Sequence, residues 1–598
     1  MLKGRKKQSR WTLVDQSFMS LFITFSLIEI TNRGSGIIDG LFVSNFLDTD
    51  SIASVGIAKT IYSVTGIISG MLTVGTQSRC SHELGKGNIE GFNRIFSSMF
   101  FIAAAVSAVC TAALLLWARP LAVLMGASGK GAALADGASL YLRGIGVGLP
   151  ALILAPFVSA ACNLDSAKKR VRRSGIVYFV CNCAFDLIAV KCGFGVFGIG
   201  LATALGTYLQ LAYLLLHFRT NDRMLRFTKF DISCGEVKDT LLLGTEKALR
   251  SLSKVISPTI INRIILLFGG TIAMSAFSVQ KDLLSFAEIA TIGIADATAL
   301  QAGVYYGEMN REFIHAIGKT AHKFCFVFLG IVCAIMVIFA NPVARIYISE
   351  QGELFNMVVF SSVMTGLYAP INGLVRSRIS YLNAVKKTRN MQIMTFLSSI
   401  VYTIISAFTL GKLFGAYGVL ASDLMRVVLL MLTVWIYYAI VTKKLFPSPD
   451  DYLALPDSFD LNPGDVISLD IRDAEDVSLV AEQIQLFCRG HKIDSKTGMK
   501  AALCFEELAV NIISFGFPKC KGQPGIDLRL VFSKEEMVIR LRDNCPMFDV
   551  ERYIAQEIEK TEMQEDIRLG LKMIGSLVDN ISYVHSLENN NVIVRFPI

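Results

Sequence analysis

Twelve apolar stretches, each long enough to cross a bilayer, follow one another through roughly the first 440 of 598 residues. No other feature constrains the fold so strongly. A spanning helix needs about 20 mostly apolar residues. By that rule the spans fall at about 14–37, 51–76, 95–117, 140–162, 174–191, 197–217, 240–267, 272–300, 320–340, 356–382, 391–410 and 416–441. Met1 to Arg10 is basic, and the apolar run behind it lacks a small-residue cleavage site, so it reads as a first span rather than a removed signal peptide. The composition changes at Pro447. Residues 447–598 carry about 26 acids against 16 bases, whereas the preceding 446 carry about 23 against 42. The chain is therefore two objects, a basic apolar one and an acidic, soluble-looking one. This balance excludes a secreted disulfide scaffold, a collagen and a disordered tail, and it points to a bilayer rather than to a nucleic acid as the partner of the basic half. Thirteen cysteines are scattered, mostly in apolar runs, with no CxxC pair and no Cys/His cluster at zinc spacing, and they read as small buried residues.

Lysine and arginine set the orientation. Every second loop is basic, including Lys168 to Arg173, Arg219 to Lys229 and Lys386 to Arg389. Both termini are then cytoplasmic, in a multi-pass protein of the cell membrane. The halves resemble each other at a shift of about 220 residues: Gly195, Gly198, Ala202 and Thr203 align with Gly415, Gly418, Ser422 and Asp423, and Gly87 with Gly307. That is the repeat signature of a secondary transporter with two parallel six-span lobes, at 1–220 and 221–446.

Ionisable residues inside spans are costly, about 2.5–3.5 kcal/mol each at a helix centre, so each requires a partner or a water-filled cavity. The first lobe has Asp39 near the end of span one and Asp186 in span five. Asn182 lies one helical turn before Asp186, and Thr203 opens span six. These are hard oxygen donors suited to Na⁺ or a shared proton. The alternative is a structural polar cluster, or carboxylates paired with Arg33 or Lys191. The repeat positions in the second lobe, Thr259, Tyr402, Ser406 and Asp423, differ, so the site is asymmetric. Spans seven and eight are unusually charged. Arg250, Lys254 and Lys281 suggest an anionic or zwitterionic cargo site, or else internal ion pairs with Asp282 and Glu288.

The runs Asp39-Gly-Leu-Phe-Val-Ser, Ile57 to Gly75, Glu83-Leu-Gly-Lys-Gly-Asn88, Asn182-xxx-Asp186 and Gly195 to Thr203 together resemble the MATE multidrug and toxin extrusion family over about residues 12–442. The resemblance implies an all-α membrane protein of twelve spans in two lobes around a central cavity. It implies export of small organic compounds in exchange for Na⁺ or H⁺, with a cation site at Asp39, Asn182, Asp186 and Thr203. Family members commonly carry a proline in span one and another in span seven, whereas Leu21 to Ile30 and Gly244 to Ser257 have none.

Prolines between Phe446 and Pro463 mark a linker, 447–463, and 464–598 is long enough for one domain. The pattern predicts strands at 465–471, 525–532, 536–543 and a pair within 581–596, with helices at 475–489, 495–515 and 567–578. This is an α+β domain with helices on one face of a mixed sheet. Glu507-Leu-Ala-Val-Asn511, Asp543-Asn-Cys-Pro-Met-Phe-Asp549 and Arg568-Leu-Gly-Leu-Lys-Met-Ile574, in that order, resemble the GHKL ATPases, most closely the anti-sigma-factor serine kinases. The resemblance implies ATP and Mg²⁺, with Glu507 as general base, Asn511 on Mg²⁺, Asp543 reading adenine and Gly570 beside the phosphates. Cys545 and Met547 stand where the family has glycines that permit close ligand approach, and the threonine of the final strand is missing near Asn591 and Val592. His491 reads as a surface residue. The function expected is a secondary exporter of small molecules regulated by its cytoplasmic ATPase-like domain. Two alternatives stay open: a membrane sensor whose soluble module is serine-kinase-like or captures a regulatory protein, and a flippase for lipid-linked or anionic cargo.

Overall fold

The computed structural model describes residues 8–598 except 48, 128–131, 221–222, 349–350, 447–452, 454, 456–458, 460–462, 521–522, 534, 556–564 and 579. Most of the 447–463 linker thus lies outside the described residues. Among the described residues, ten continuous helices before residue 443 are long and apolar enough to span a bilayer. Leu134–Gly146 and Leu149–Leu164 add a span bent by 45°. Thr245–Gly307 is two spans that meet at Gly270, where φ is 62°. The expected twelve are all present. Many run past the apolar windows, as Leu13–Val43 does, because the helices continue beyond the hydrocarbon layer. Ser495–Lys519 is also apolar enough, but it is the core helix of the soluble domain. Span seven does contain a proline: Pro258 lies one residue beyond the stretch without one, inside Thr245–Gly307.

The backbone repeats with the sequence. Gly195 and Gly415, 220 residues apart, both have positive φ (56° and 61°), and so do Ser166 and Lys386 (55° and 62°). The turns after spans two and eight are near-copies. In one, Gly87 is left-handed (φ 76°) and Asn88 caps the next helix by accepting from Gly91 N. In the other, Met309 is left-handed (φ 56°) and Asn310 accepts from Phe313 N, so the counterpart of Gly87 is Met309, and Gly307 corresponds to Gly85 rather than to Gly87 as the sequence alignment had it. A left-handed methionine is uncommon, and here the surrounding turn holds it.

The lobes touch at the membrane face that bears the soluble domain. His82 Nε2 donates to Ala384 O at 2.7 Å. A Cβ on Gly85 would lie 2.0 Å from Val304 O, and one on Gly307 would lie 2.2 Å from His82 O. Only glycine allows helices to approach this closely. Asp15 of span one bonds Thr320 Oγ1 (2.5 Å) and Lys323 Nζ (2.8 Å) of span nine. At the opposite end Gly36, Gly40 and Gly56 face open space.

The soluble domain is α+β, as expected, but its sheet is antiparallel throughout rather than mixed. β1 (Val466–Ile471), β2 (Ile526–Phe532), β3 (Glu536–Asp543), β4 (Asn580–Ser586) and β5 (Asn589–Pro597) take the order β1-β2-β3-β5-β4. No connection in it is a parallel crossover, and the helices cover one face only. Alternation divides the strands. Leu528, Leu530, Ile539, Leu541, Val592 and Val594 pack beneath helices Ala474–Gly490, Ser495–Asn511 and Glu565–Leu577. The opposite face carries Arg529, Arg540, Arg542 and Arg595 and lies against the membrane half, where Val584, Leu587 and Ile593 join the apolar core of the spans. His491 is not free on the surface. It is held between the Phe487 and Phe532 rings and bonds Asp465 Oδ1 at 3.0 Å.

Candidate functional site

The four first-lobe residues expected to hold a cation converge. Asp39 and Asp186 face one another, with Asn182 and Thr203 beside them, and all four are buried. Thr203 Oγ1 reaches Asp39 Oδ2 at 3.5 Å. Among the described residues neither Asp186 oxygen, nor Asp39 Oδ1, nor Asn182 Nδ2 meets a hydrogen-bond partner. The basic neighbours that would make this a closed ion pair are engaged elsewhere. Arg33 bridges Glu29 (3.3 Å) and Glu288 (3.1 Å), Lys59 donates to Gly36 O (3.4 Å), and Lys191 is exposed at its helix end. Two carboxyls confined in a dry space cannot both stay ionised unless a cation or a shared proton joins them. The site's second layer was not singled out in the sequence. Ser35 Oγ bonds Asn182 Oδ1 (2.7 Å) and Tyr178 OH (2.8 Å). Tyr178, Asn182 and Asp186 form an i, i+4, i+8 stripe, the signal that could have revealed Tyr178. Ser35 carries no such signal.

In the second lobe the equivalent space is already neutralised. Arg426 bonds Asp423 Oδ1 (3.1 Å), Tyr368 OH (3.0 Å) and Ser398 Oγ (3.3 Å), and Tyr402 OH bonds Thr433 Oγ1 (2.7 Å). The Thr259 side chain lies outside the described residues.

Between the lobes lies a cavity of about 560 Å³ lined by three acids and three bases: Glu29, Glu246, Asp296, Lys247, Arg250 and Lys254. Arg250 pairs with Glu246 one turn away, and Glu29 with Arg33. Among the described residues no ion pair within 4 Å involves Lys247, Lys254 or Asp296. Both side-chain atoms of the buried Asn163, which also lines this space, lack partners. Lys281 does not belong with Arg250 and Lys254. It bonds Asn262 Oδ1 (3.1 Å) and lies over the Phe277 ring, away from the cavity lining. Asp282 is exposed, whereas Glu288 pairs with Arg33 and also acts through space on Lys254, so the expected internal pairing is met in part by Glu288.

In the soluble domain Glu507, Asn511 and Gly570 meet: a Cβ on Gly570 would lie 2.3 Å from Glu507 Oε2 and 3.9 Å from Asn511 Nδ2. The Arg568 side chain lies outside the described residues. Asp543 is turned to internal use. Its Oδ1 accepts from Asn590 Nδ2 (2.8 Å) and from Cys545 N (2.9 Å), and burial pushes its carboxyl up to about 6. Asn590 faces Asp543 across the β3–β5 register, so an amide occupies the ladder position opposite the aspartate. Cys545 is buried, and a Cβ on Gly516 would lie 3.1 Å from its Sγ. Among the described residues Asn511 Nδ2 is buried without a hydrogen-bond partner, and no hydrogen bond engages its Oδ1, the atom that Mg²⁺ would need. Glu507, Asn511 and Gly570 converge as a nucleotide site would need, while Asp543 and Cys545 are turned inward, and no phosphoryl-transfer step follows from this arrangement.

Residues 25–188 match the MatE family model, and residues 472–596 match that of the histidine kinase-like ATPase domain. The chain carries both domains. Asp39, Asn182 and Asp186 fall inside the MatE match, with Thr203 just beyond it. Solved structures extend the MATE fold over the whole membrane half. A MATE in complex with MaL6 is 19% identical, with 72% of this chain and 98% of that one covered and a TM-score of 0.67. An outward-facing multidrug resistance MATE family transporter of the MOP superfamily is also 19% identical, with 72% and 96% covered and a TM-score of 0.67. A MOP superfamily transporter from Pyrococcus furiosus, described as having a binding pocket of reverse polarity, is 19% identical, with 72% and 97% covered and a TM-score of 0.63. No curated protein matches the chain.

Proposed function

We propose that the MatE half is a secondary active exporter that exchanges a small organic compound for Na⁺ or H⁺ across the cell membrane. One observation carries this reading: a buried pair of carboxyls, Asp39 and Asp186, with three oxygens that meet no hydrogen-bond donor among the described residues. A static cluster would have recruited a base, as the second lobe recruited Arg426. An exchanger needs a site that an ion can enter and leave, and one such site in one lobe suffices. The cargo space is the cavity between the lobes. Its polar lining and the unpaired Lys247, Lys254 and Asp296 favour a compound bearing carboxylate and amine together over a hydrophobic cation. The reverse polarity described for the Pyrococcus furiosus neighbour supports the same direction. The basic loops support a cytoplasmic position for both termini and the soluble domain. That domain regulates the exporter through contact rather than through phosphoryl transfer. The test is transport by the full chain in proteoliposomes, with the Na⁺ and H⁺ gradients collapsed separately and together. Movement should stop when the coupling gradient is removed, and transport that persists without either gradient would reject the reading.

A further inference from the structure

The arginine-bearing face of the sheet does not merely lie near the membrane half: it grips the same turn in both lobes. Arg540 Nη2 donates to Gly85 O at 2.9 Å, and Arg595 Nη2 donates to Lys86 O at 3.3 Å, both in the turn after span two. In the matching turn after span eight, Glu308 receives Arg540 Nη1 (2.9 Å) and a two-pronged bond from Arg542 Nη2 (2.6 and 2.7 Å), while Arg529 Nη2 donates to Met309 O (2.6 Å). Arg542 also lies over the Tyr305 and Phe313 rings at 4.9 and 4.6 Å. Arg540 therefore holds one turn from each lobe at once. Planar guanidinium forks are suited to joining a carboxylate to carbonyl oxygens in fixed geometry.

These turns lie where the lobes touch. Gly85 abuts Val304 O and Gly307 abuts His82 O, so opening the cavity toward this face must draw the turns apart. Arg540 cannot follow both. Further ties hold the domain in place. Glu588 of the β4–β5 turn accepts from Ser20 in span one (2.8 Å), Ser166 Oγ donates to His585 O (3.2 Å), Asn544 Nδ2 donates to Gln16 Oε1 (3.0 Å), and Leu453 O accepts from Tyr381 OH in span ten (2.6 Å).

We infer that the soluble domain is an autoinhibitory latch: docked through Arg529, Arg540 and Arg542, it holds the two lobes closed on the cytoplasmic side, and the exporter opens inward only when the sheet lets go. This rests on the exporter reading and names how that exporter is regulated. Its partner surface is the transporter's own pair of turns, so whatever displaces the sheet activates transport.

The test uses the full chain in lipid vesicles, with Asn383→Cys as reporter. Asn383 is buried and lines the cavity beside the His82–Ala384 contact. Labelling of position 383 by a membrane-impermeant maleimide is followed by mass spectrometry, which separates it from the native cysteines. Arg540→Gln should weaken the hold on both turns, Arg529→Gln the hold on the second-lobe turn alone, and Glu308→Arg should repel the sheet. Each should raise the labelling rate at least threefold, with Glu308→Arg the largest. Hydrogen exchange in β1 and β4 identifies any variant whose domain has unfolded. Labelling unchanged in all three variants overturns the latch, whether or not the sheet has come loose. So does an increase confined to variants with an unfolded domain. The assay needs neither cargo nor gradient, so it stands apart from the test of ion coupling.

Discussion

Asp39 and Asp186 cost several kcal/mol as ionised groups within a bilayer, and among the described residues Lys59 acts on them only through space, with no ion pair closed on either. Asp39→Asn and Asp186→Asn should each lower gradient-driven transport at least tenfold while the protein stays in the membrane at normal levels. Proteoliposome flux and membrane content measured together check this, and normal flux in both variants would mark the cluster as structural. Asp543 carries a different strain. Burial raises it from 3.8 to about 6 in the folded chain. Between those values the folded state binds more protons than the unfolded one, so stability falls as pH rises through the window and is flat above it. Asp543→Asn keeps the acceptor for Asn590 and removes the charge. It should stabilise the domain above pH 6 by on the order of 2–3 kcal/mol and erase that slope. Slowed hydrogen exchange in β3 and β5 at pH 8 but not at pH 4 is the expected readout.

At the scale of elements, the helices, the strands and the repeat were legible because periodicity and length report them directly. β3 begins and ends where alternation placed it, at Glu536 and Asp543, and the 220-residue shift reappears as paired left-handed residues. Strand direction was not legible. Alternation marks a strand's faces but not its neighbours, which is why a mixed sheet was expected. The first-lobe polar cluster was readable because two of its members, Asp39 and Asp186, are acids in apolar runs. The cargo cavity was readable only in part. Arg250 and Lys254 are one turn apart on span seven, but nothing in the spacing of Lys281 showed that span eight turns it toward Asn262. Lys254, exposed to the cavity and unpaired, should choose cargo by charge. A zwitterionic rhodamine should outcompete its own methyl ester, a pure cation, for the full chain in detergent. Lys254→Met should abolish or invert that order, as read by fluorescence polarisation. An unchanged order would assign the cavity's selectivity to other groups.

At the scale of the whole molecule, the sequence announced two domains and could not show how they meet. Arg529, Arg540 and Arg542 look like ordinary outward strand positions until the partner surface is known, and Glu308 like a solvated turn acid. The same docking bears on the nucleotide question. Calorimetry of the full chain with Mg-ATP should give no saturable heat, because Asp543 is bonded to Asn590. A micromolar isotherm lost on Asp543→Ala would restore the adenine assignment.

The arginine-lined face has one more consequence. Residues 447–598 hold about 26 acids and 16 bases, and four of those bases point at the transporter. The remaining surface is more negative than the total suggests. Inner leaflets are themselves anionic. A sheet that releases its turns would be driven into the aqueous phase by like charge instead of resting on the headgroups. Resonance energy transfer between the end of span twelve and β4 should then report a longer separation for Glu308→Arg in phosphatidylglycerol than in phosphatidylcholine vesicles, and equal separations would mean that lipid charge plays no part.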